Sequence, residues 1–172
     1  MGGSHINIAG CIWSEMNITM PIQDIQVQGI HFLTSCKNNI IPGAIFTKIM
    51  YSNEIFSTQG INVSFPLIRD ARTFFTANVY SMIQQISQLE LSVLYKYAHN
   101  YGCANKKKQL HLTLTQLQHQ LLIKCLGRAE EEQLELSGHS VFILLKISGV
   151  WETSDEIGVT YIMKPVCMIQ NN

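Results

Sequence analysis

Three consecutive segments decide the fold: GHSVFILLKISGVW (138–151), ETSDE (152–156) and IGVTYIMKPVCMI (157–169). The outer two are rich in β-branched and aromatic residues and the middle one has the composition of a turn, which together predict a β-hairpin. Val141–Leu145 is apolar without alternation, so this part of the strand is expected to be covered on both faces. A hairpin is not stable alone, and earlier segments must therefore pack on it.

Composition indicates a folded chain with an unusually uncharged surface. The 172 residues predict one domain, 1–172, and 47% of them are hydrophobic while only 14% are charged. Soluble domains usually carry about 25% charged residues, so repulsion between copies is weak and self-association or a large partner interface is expected. Lys plus Arg equals Asp plus Glu at 12 each. This balance argues against a dedicated nucleic-acid binder, and no sequence-specific nucleic-acid binding is expected.

The cysteines and the amino terminus predict an intracellular protein. Five cysteines are scattered without Cys-x-x-Cys spacing, which favours reduced thiols that lie mostly in the core: Cys11, Cys36, Cys103, Cys125 and Cys167. No basic segment followed by an apolar one suggests a signal peptide, and no run approaches the roughly 20 apolar residues of a membrane-spanning helix. Gly2 meets one requirement of myristoylation, but Ile6 stands where Ser or Thr is expected.

The first seventy residues predict mostly strands. Apolar residues alternate from Cys11 to Pro21, and a β pattern continues through Ile25–Phe32 with Gly29 as a bulge. A loop is predicted at 35–39. A short helix is then predicted from Pro42 to about residue 53, because four apolar residues follow helical spacing: Ile45, Phe46, Ile49 and Met50.

A half-buried strand is predicted at Ile61–Leu67, at a sheet edge because Pro66 has no N–H to donate. Helical periodicity then extends from Asp70 to Tyr97. Within it Ser81–His99 is predicted as helix, whereas Thr73–Tyr80 is compatible with helix or strand.

Two further elements are predicted between this helix and the hairpin. Alternation at Leu110, Leu112 and Leu114 indicates a short strand. Thr115 and Gln118 form the capping-box pattern of a helix that runs to about residue 125. These elements give an α+β fold, a mostly antiparallel sheet with a C-terminal hairpin, covered by two or three helices.

Motifs for catalysis or cofactor binding are missing from the sequence. Six histidines occur without the paired spacing of a zinc site, and neither Gly-x-Ser-x-Gly nor a glycine-rich phosphate loop is present. No catalytic residue, metal ligand or cofactor is predicted, and the protein is not expected to be an enzyme. A small enzyme that uses cysteine and histidine stays open as an alternative, provided that Cys103, His111 and Cys125 converge in one pocket.

Two sets of residues are candidates for contacts with partners. Lys106, Lys107 and Lys108 form the only basic run, which predicts contact with phosphate or anionic lipid, with a solubilising turn as the alternative. Large aromatic residues beside strand ends serve either core packing or interface anchoring, and the candidate anchors are Trp13, Trp151 and Tyr161.

The order of elements resembles the matrix proteins of rhabdoviruses, more the compact plant-infecting kind. The features that carry the resemblance are the chain length, the amino-terminal stretch WSEMNITM (13–20), the small helix predicted at Pro42–Met50, the central helical segment and the closing hairpin at Val141–Ile169. The resemblance implies a protein without enzymatic activity that self-associates and links a nucleocapsid to the inner face of a membrane. The basic amino-terminal tail of the animal-virus members is missing, because the first Lys or Arg is Lys37, and so is a Pro-Pro-x-Tyr motif.

The leading hypothesis is therefore a structural assembly protein of the viral matrix type. Its expected partners are further copies of itself, a viral nucleocapsid and an anionic membrane surface, and its expected location is the host cytoplasm and the virion. The alternative is a small intracellular adaptor domain that binds a single protein partner.

Overall fold

The closing hairpin lies at the centre of a sheet to which the described residues contribute eight strands. The computed structural model describes residues 18–67, 77–101, 108–112 and 140–168. Within these ranges, strand β7 (Ser140–Glu152) pairs antiparallel with β8 (Glu156–Met168) along almost its whole length. The turn is held by Thr153, whose Oγ1 accepts hydrogen bonds from the backbone N–H groups of Asp155 and Glu156. The predicted hairpin is confirmed.

The other edge of β7 pairs with two strands, one after the other. Strand β5 (Ile61–Leu67) pairs with residues 141–147 and β3 (Ile45–Ser52) with residues 149–152, both antiparallel. Ser148, between these two partners, is the extra residue of a β-bulge and donates to the carbonyl of Thr160. The predicted strand at Ile61–Leu67 is confirmed. On its far side the described residues contribute one isolated bridge, between Met20 and Val63.

The helix predicted from Pro42 to about residue 53 is wrong, because this segment is a turn followed by strand β3. Side chains of Thr47, Ile49 and Tyr51 are buried on one face of the sheet, whereas Phe46 and Met50 lie on the other and are half-buried. Apolar residues therefore occupy both faces of β3, which removes the alternation that marks a strand and imitates helical spacing.

Short elements surround β3 on its second edge and at its end. Strand β1 (Ile30–Phe32) and the two-residue β2 (Cys36–Lys37) pair with it in succession, and β4 (Ser57–Gln59) forms a hairpin with its last residues. The β pattern predicted from Ile25 is correct only from Ile30, since Ile22–Asp24 and Val27–Gly29 are 3-10 turns. The loop predicted at 35–39 contains β2.

Helix α1 (Ala77–Asn100) confirms the helix predicted at Ser81–His99 and shows that Ala77–Tyr80 is helical. One stripe of α1 is buried against the sheet and consists of Met82, Ile86, Leu89, Val93, Leu94, Tyr97 and Ala98. It is the only α-helix in the described ranges, compared with the two or three that were predicted. Residues 73–76 and the helix predicted from Thr115 lie outside these ranges, as does most of the strand predicted from Cys11.

Strand β6 (Gln109–His111) completes the sheet at the far side of β8. It confirms the beginning of the strand predicted at Leu110–Leu114 and is parallel to β8, while the other named strand pairs are antiparallel. The strand order is β1-β3-β7-β8-β6, with β5 on the same edge of β7 as β3. The fold is therefore α+β, as predicted. We call the face that carries α1 the inner face and the opposite one the outer face.

Gly60 makes the junction between β4 and β5, and we predict that Gly60→Ala is strongly destabilising. Its φ is +79°, and a Cβ there would lie 2.8 Å from the carbonyl oxygen of Ile147. Gly43 has a similar φ of +76° but no atom within 4 Å of the same position. Both substitutions carry the left-handed backbone cost of about 1 kcal/mol, and Gly60→Ala adds about 1–3 kcal/mol for the overlap.

Urea unfolding of the two variants measures this difference, with Gly43→Ala as the matched control. Equal losses in the free energy of unfolding would show that the close approach of Gly60 to β7 has no energetic effect.

Candidate interaction surface

A buried ion pair connects the hairpin turn to β6 and α1. The ammonium group of Lys108 donates to Glu152 Oε1 at 2.6 Å and also to the carbonyl of Thr153. The hydroxyl of Tyr97 donates to Glu152 Oε2 at 2.7 Å. The side chains of Lys108 and Glu152 are only 8% and 10% exposed. Each carboxylate oxygen thus has its own donor, which compensates the loss of hydration that both charges suffer.

The same network continues across the sheet from Tyr97. Its hydroxyl lies 3.2 Å from Thr47 Oγ1, which in turn lies 2.7 Å from the hydroxyl of Ser35. The ring of Tyr97 packs edge-on against Phe32 and stacks on Tyr101, with centroids 5.2 Å and 4.6 Å away. The polar atoms of this network point at one another and not at an open cleft. Its role is therefore to hold α1, β3 and the hairpin turn together.

The predicted basic run is described only at its last residue. Lys106 and Lys107 lie outside the described ranges, and Lys108 uses its ammonium group in the pair with Glu152. Contact of Lys106–Lys108 with phosphate or lipid stays a prediction.

Two of the three predicted anchors are described, and both are half-buried. Trp151 lies on the outer face, where its indole covers Gly158 so closely that a Cβ on that glycine would overlap Cζ2. The ring of His111 lies beside it, with centroids 5.4 Å apart. Tyr161 packs against the core on the inner face. Trp13 lies outside the described ranges, and anchoring by any of the three stays a prediction.

Two loop tips present fully exposed isoleucines. In the β2–β3 loop, Asn38 Oδ1 accepts hydrogen bonds from the backbone N–H groups of Ile40 and Ile41, at 2.8 and 3.0 Å. In the β3–β4 loop, Asn53 Oδ1 does the same for Ile55 and Phe56, at 2.9 and 3.0 Å. Ile40 is 87% exposed and Ile55 is 88% exposed. Each asparagine stabilises the conformation of its loop, and this conformation keeps the isoleucine side chain exposed to solvent.

These exposed loop tips were not predicted from the sequence, although both loops share a sequence pattern that could have indicated them. Both loops carry the pattern Asn-x-Ile followed by a second large apolar residue, at Asn38–Ile41 and Asn53–Phe56. Asparagine two residues before an apolar residue between strands is typical of a side-chain-capped turn. The prediction of a helix from Pro42 concealed this shared pattern, because it placed each segment between a strand and a helix and not between two strands.

Potential metal ligands are dispersed in the described part of the chain. There, no three His, Cys, Asp or Glu side chains come close enough to bind a metal ion together. The imidazole of His111 is 3.8 Å from the carboxylate of Glu156, and both side chains are 40% exposed. Cys103 and Cys125, which an enzyme of the predicted kind would need beside His111, lie outside the described ranges. None of the helices in those ranges is both long enough and apolar enough to span a bilayer.

We predict that Glu152→Gln lowers the free energy of unfolding by about 3–5 kcal/mol, because it leaves the ammonium group of Lys108 buried without its counter-charge. The double variant Lys108→Met/Glu152→Gln should recover part of this loss, since it removes the uncompensated charge as well. A double-mutant cycle from urea unfolding measures the coupling. Additive losses in the double variant would contradict a coupled pair.

We predict that Tyr161 makes stability fall at alkaline pH. Burial, and then the negative charge of Glu90, raise the pKa of the Tyr161 phenol above its ordinary value of 10.0. The folded state therefore holds this proton more tightly than the unfolded state does. The stabilisation is complete below pH 10 and is lost as pH rises through the folded-state pKa.

Unfolding measured across this alkaline range tests the prediction in Tyr161→Phe, which should lose less stability than the unmodified protein. Tyr95→Phe is the control, since Tyr95 is 62% exposed. The same pH dependence in all three proteins would rule out Tyr161 as the cause.

Comparison with known proteins leaves the function to be inferred from this geometry. The sequence matches no protein-family model, and neither the curated proteins nor the solved structures yield a similar protein.

Proposed function

We propose that this chain is a non-enzymatic assembly protein whose copies associate through the Ile40 and Ile55 loop tips. The observation that carries the proposal is the nearly complete exposure of two isoleucines on loops that are fixed by asparagine side chains. An exposed isoleucine at a rigid tip loses little conformational entropy when it enters an apolar pocket, so its burial favours binding.

The positions of the two tips support contact with two neighbours at once. They lie at opposite ends of β3, whose eight residues span about 24 Å at the usual rise per residue. One copy can therefore touch one neighbour at each end, which is the geometry of a head-to-tail ring or filament. The equal numbers of basic and acidic residues, 12 of each, keep repulsion between copies small.

The form of assembly that we propose is that of a viral matrix protein, which links a nucleocapsid to a membrane. Its support is the resemblance in chain length, central helix and closing hairpin. The small helix at Pro42–Met50 no longer contributes to this resemblance, because that segment is a turn and strand β3. Association between copies is the part of the proposal with support from the geometry of the loops.

The test is sedimentation velocity on the unmodified chain and on Ile40→Asn/Ile55→Asn at tens of micromolar. We expect oligomers in the unmodified protein and a shift to monomer in the double variant, because each tip loses its apolar side chain. Ile162→Thr is the matched control. It removes an isoleucine that is 59% exposed on the outer face, away from both loops, and should leave association unchanged.

A strictly monomeric unmodified protein would contradict the proposal. The proposal would also be contradicted if Ile40→Asn/Ile55→Asn still formed oligomers while its unfolding curve matched that of the unmodified protein. A defined one-to-one complex with a different protein, formed by a monomer, would instead support the adaptor alternative.

A further inference from the structure

The outer face of the sheet combines aromatic and cationic side chains in neighbouring rows. Phe46 on β3 lies directly opposite Trp151 on β7 in the strand register. Lys48 occupies the next outward position of β3, and two further lysines follow along the hairpin, Lys146 on β7 and Lys164 on β8. Lys48 and Lys164 are exposed and Lys146 is half-buried. The three lysines thus trace a diagonal across β3, β7 and β8.

Both aromatic rings rest on glycines of the neighbouring strand. A Cβ on Gly149 would overlap the ring of Phe46, and a Cβ on Gly158 would overlap the indole of Trp151. The glycines leave room for the two rings to lie over the sheet backbone, and both side chains stay half-exposed. Rings placed in this way on a β-sheet are the feature on which nucleic-acid bases stack.

Among the described residues, the side chains on this face carry more positive than negative charge, although the chain as a whole is neutral. Glu152, at the end of β7, points to the inner face and is paired with Lys108. Glu156 lies at the turn end of the outer face, beside His111. At the other end, a groove of about 180 Å³ is lined by Asn62, Lys146 and Lys164 among others. Phosphate groups are therefore favoured along the lysine diagonal and in this groove.

We propose that the outer face binds single-stranded nucleic acid without sequence preference, in addition to the assembly role. Bases stack on Phe46 and Trp151, while phosphates pair with Lys48, Lys146 and Lys164. A single strand is required because the bases of a duplex are stacked on each other and cannot reach the rings. A polypeptide fits less well, because backbone groups in the interior of a sheet are already paired and only an edge can add a strand.

Fluorescence anisotropy with a labelled uridine oligomer of about 20 nucleotides tests the lysines. For three phosphate contacts, the logarithm of affinity should fall against the logarithm of salt concentration with a slope of about −2. Lys48→Gln/Lys146→Gln/Lys164→Gln should bring the slope close to zero and weaken binding at least about tenfold at low salt. The control is Lys37→Gln, which removes an exposed lysine from β2, where its strand partner Ile45 belongs to the opposite face.

Quenching of tryptophan fluorescence tests the stacking. In a Trp13→Phe background the signal comes from Trp151, and the oligomer should quench it. Trp151→Leu should weaken binding roughly five- to hundredfold, the range of one lost stacking contact. Quenching in the background protein is measured without altering Trp151, so the test does not depend on how well the leucine variant folds.

Several outcomes would overturn the proposal: no binding at low salt, an equal loss of affinity in Lys37→Gln, or binding without quenching of Trp151. Vesicles containing phosphatidylserine and a polyglutamate peptide are run in parallel. Lysine-dependent binding to either of these but not to the oligomer would overturn it too, and would identify the face as a membrane or acidic-protein site.

Discussion

Hydrogen bonding along both edges of β7 is the constraint on which the rest of the structure depends. One edge is taken by β8, and the other is shared by β5 and β3, which meet where Ser148 bulges out of the ladder. Each buried N–H or C=O group without a partner would cost about 1–3 kcal/mol. Because β7 is largely buried, its backbone groups must find partners on both edges. Gly60 makes this sharing possible, because only a glycine fits the turn against the carbonyl of Ile147.

Helix α1 covers one face of the sheet formed in this way. The ion pair of Lys108 with Glu152 connects the hairpin turn to the C-terminal part of this helix, through Tyr97. Apolar packing alone would allow the helix to slide along the β7–β8 surface. A hydrogen bond from Tyr97 to Glu152, with Thr47 and Ser35 beyond it, favours a single position because each polar atom must meet its own partner. Specificity of packing is thus the contribution of this network.

The functions that we propose use side chains that this scaffold leaves exposed. The inner face is closed by α1, whereas the outer face keeps Lys48, Lys164 and Ile162 in contact with water. The loops at either end of β3 add Ile40 and Ile55. The proposed association of copies through the loops would leave the outer face free for the proposed second partner, so that one sheet would serve two kinds of contact.

The sequence by itself determined the hairpin, through its β-branched composition and its central turn. It also determined the strand at Ile61–Leu67 and the helix at Ser81–His99, because each has a local period strong enough to specify it. It did not determine β3, since apolar side chains on both faces of a strand erase the alternation. Only the tertiary structure decided which polar residues meet. Lys108 and Glu152 are 44 residues apart in the chain, and their pairing follows from the parallel register of β6 with β8, which no local pattern encodes. The outer face arose in the same way, because Phe46, Lys146 and Lys164 come to lie on one face only through strand order, and strand order is set by long-range pairing.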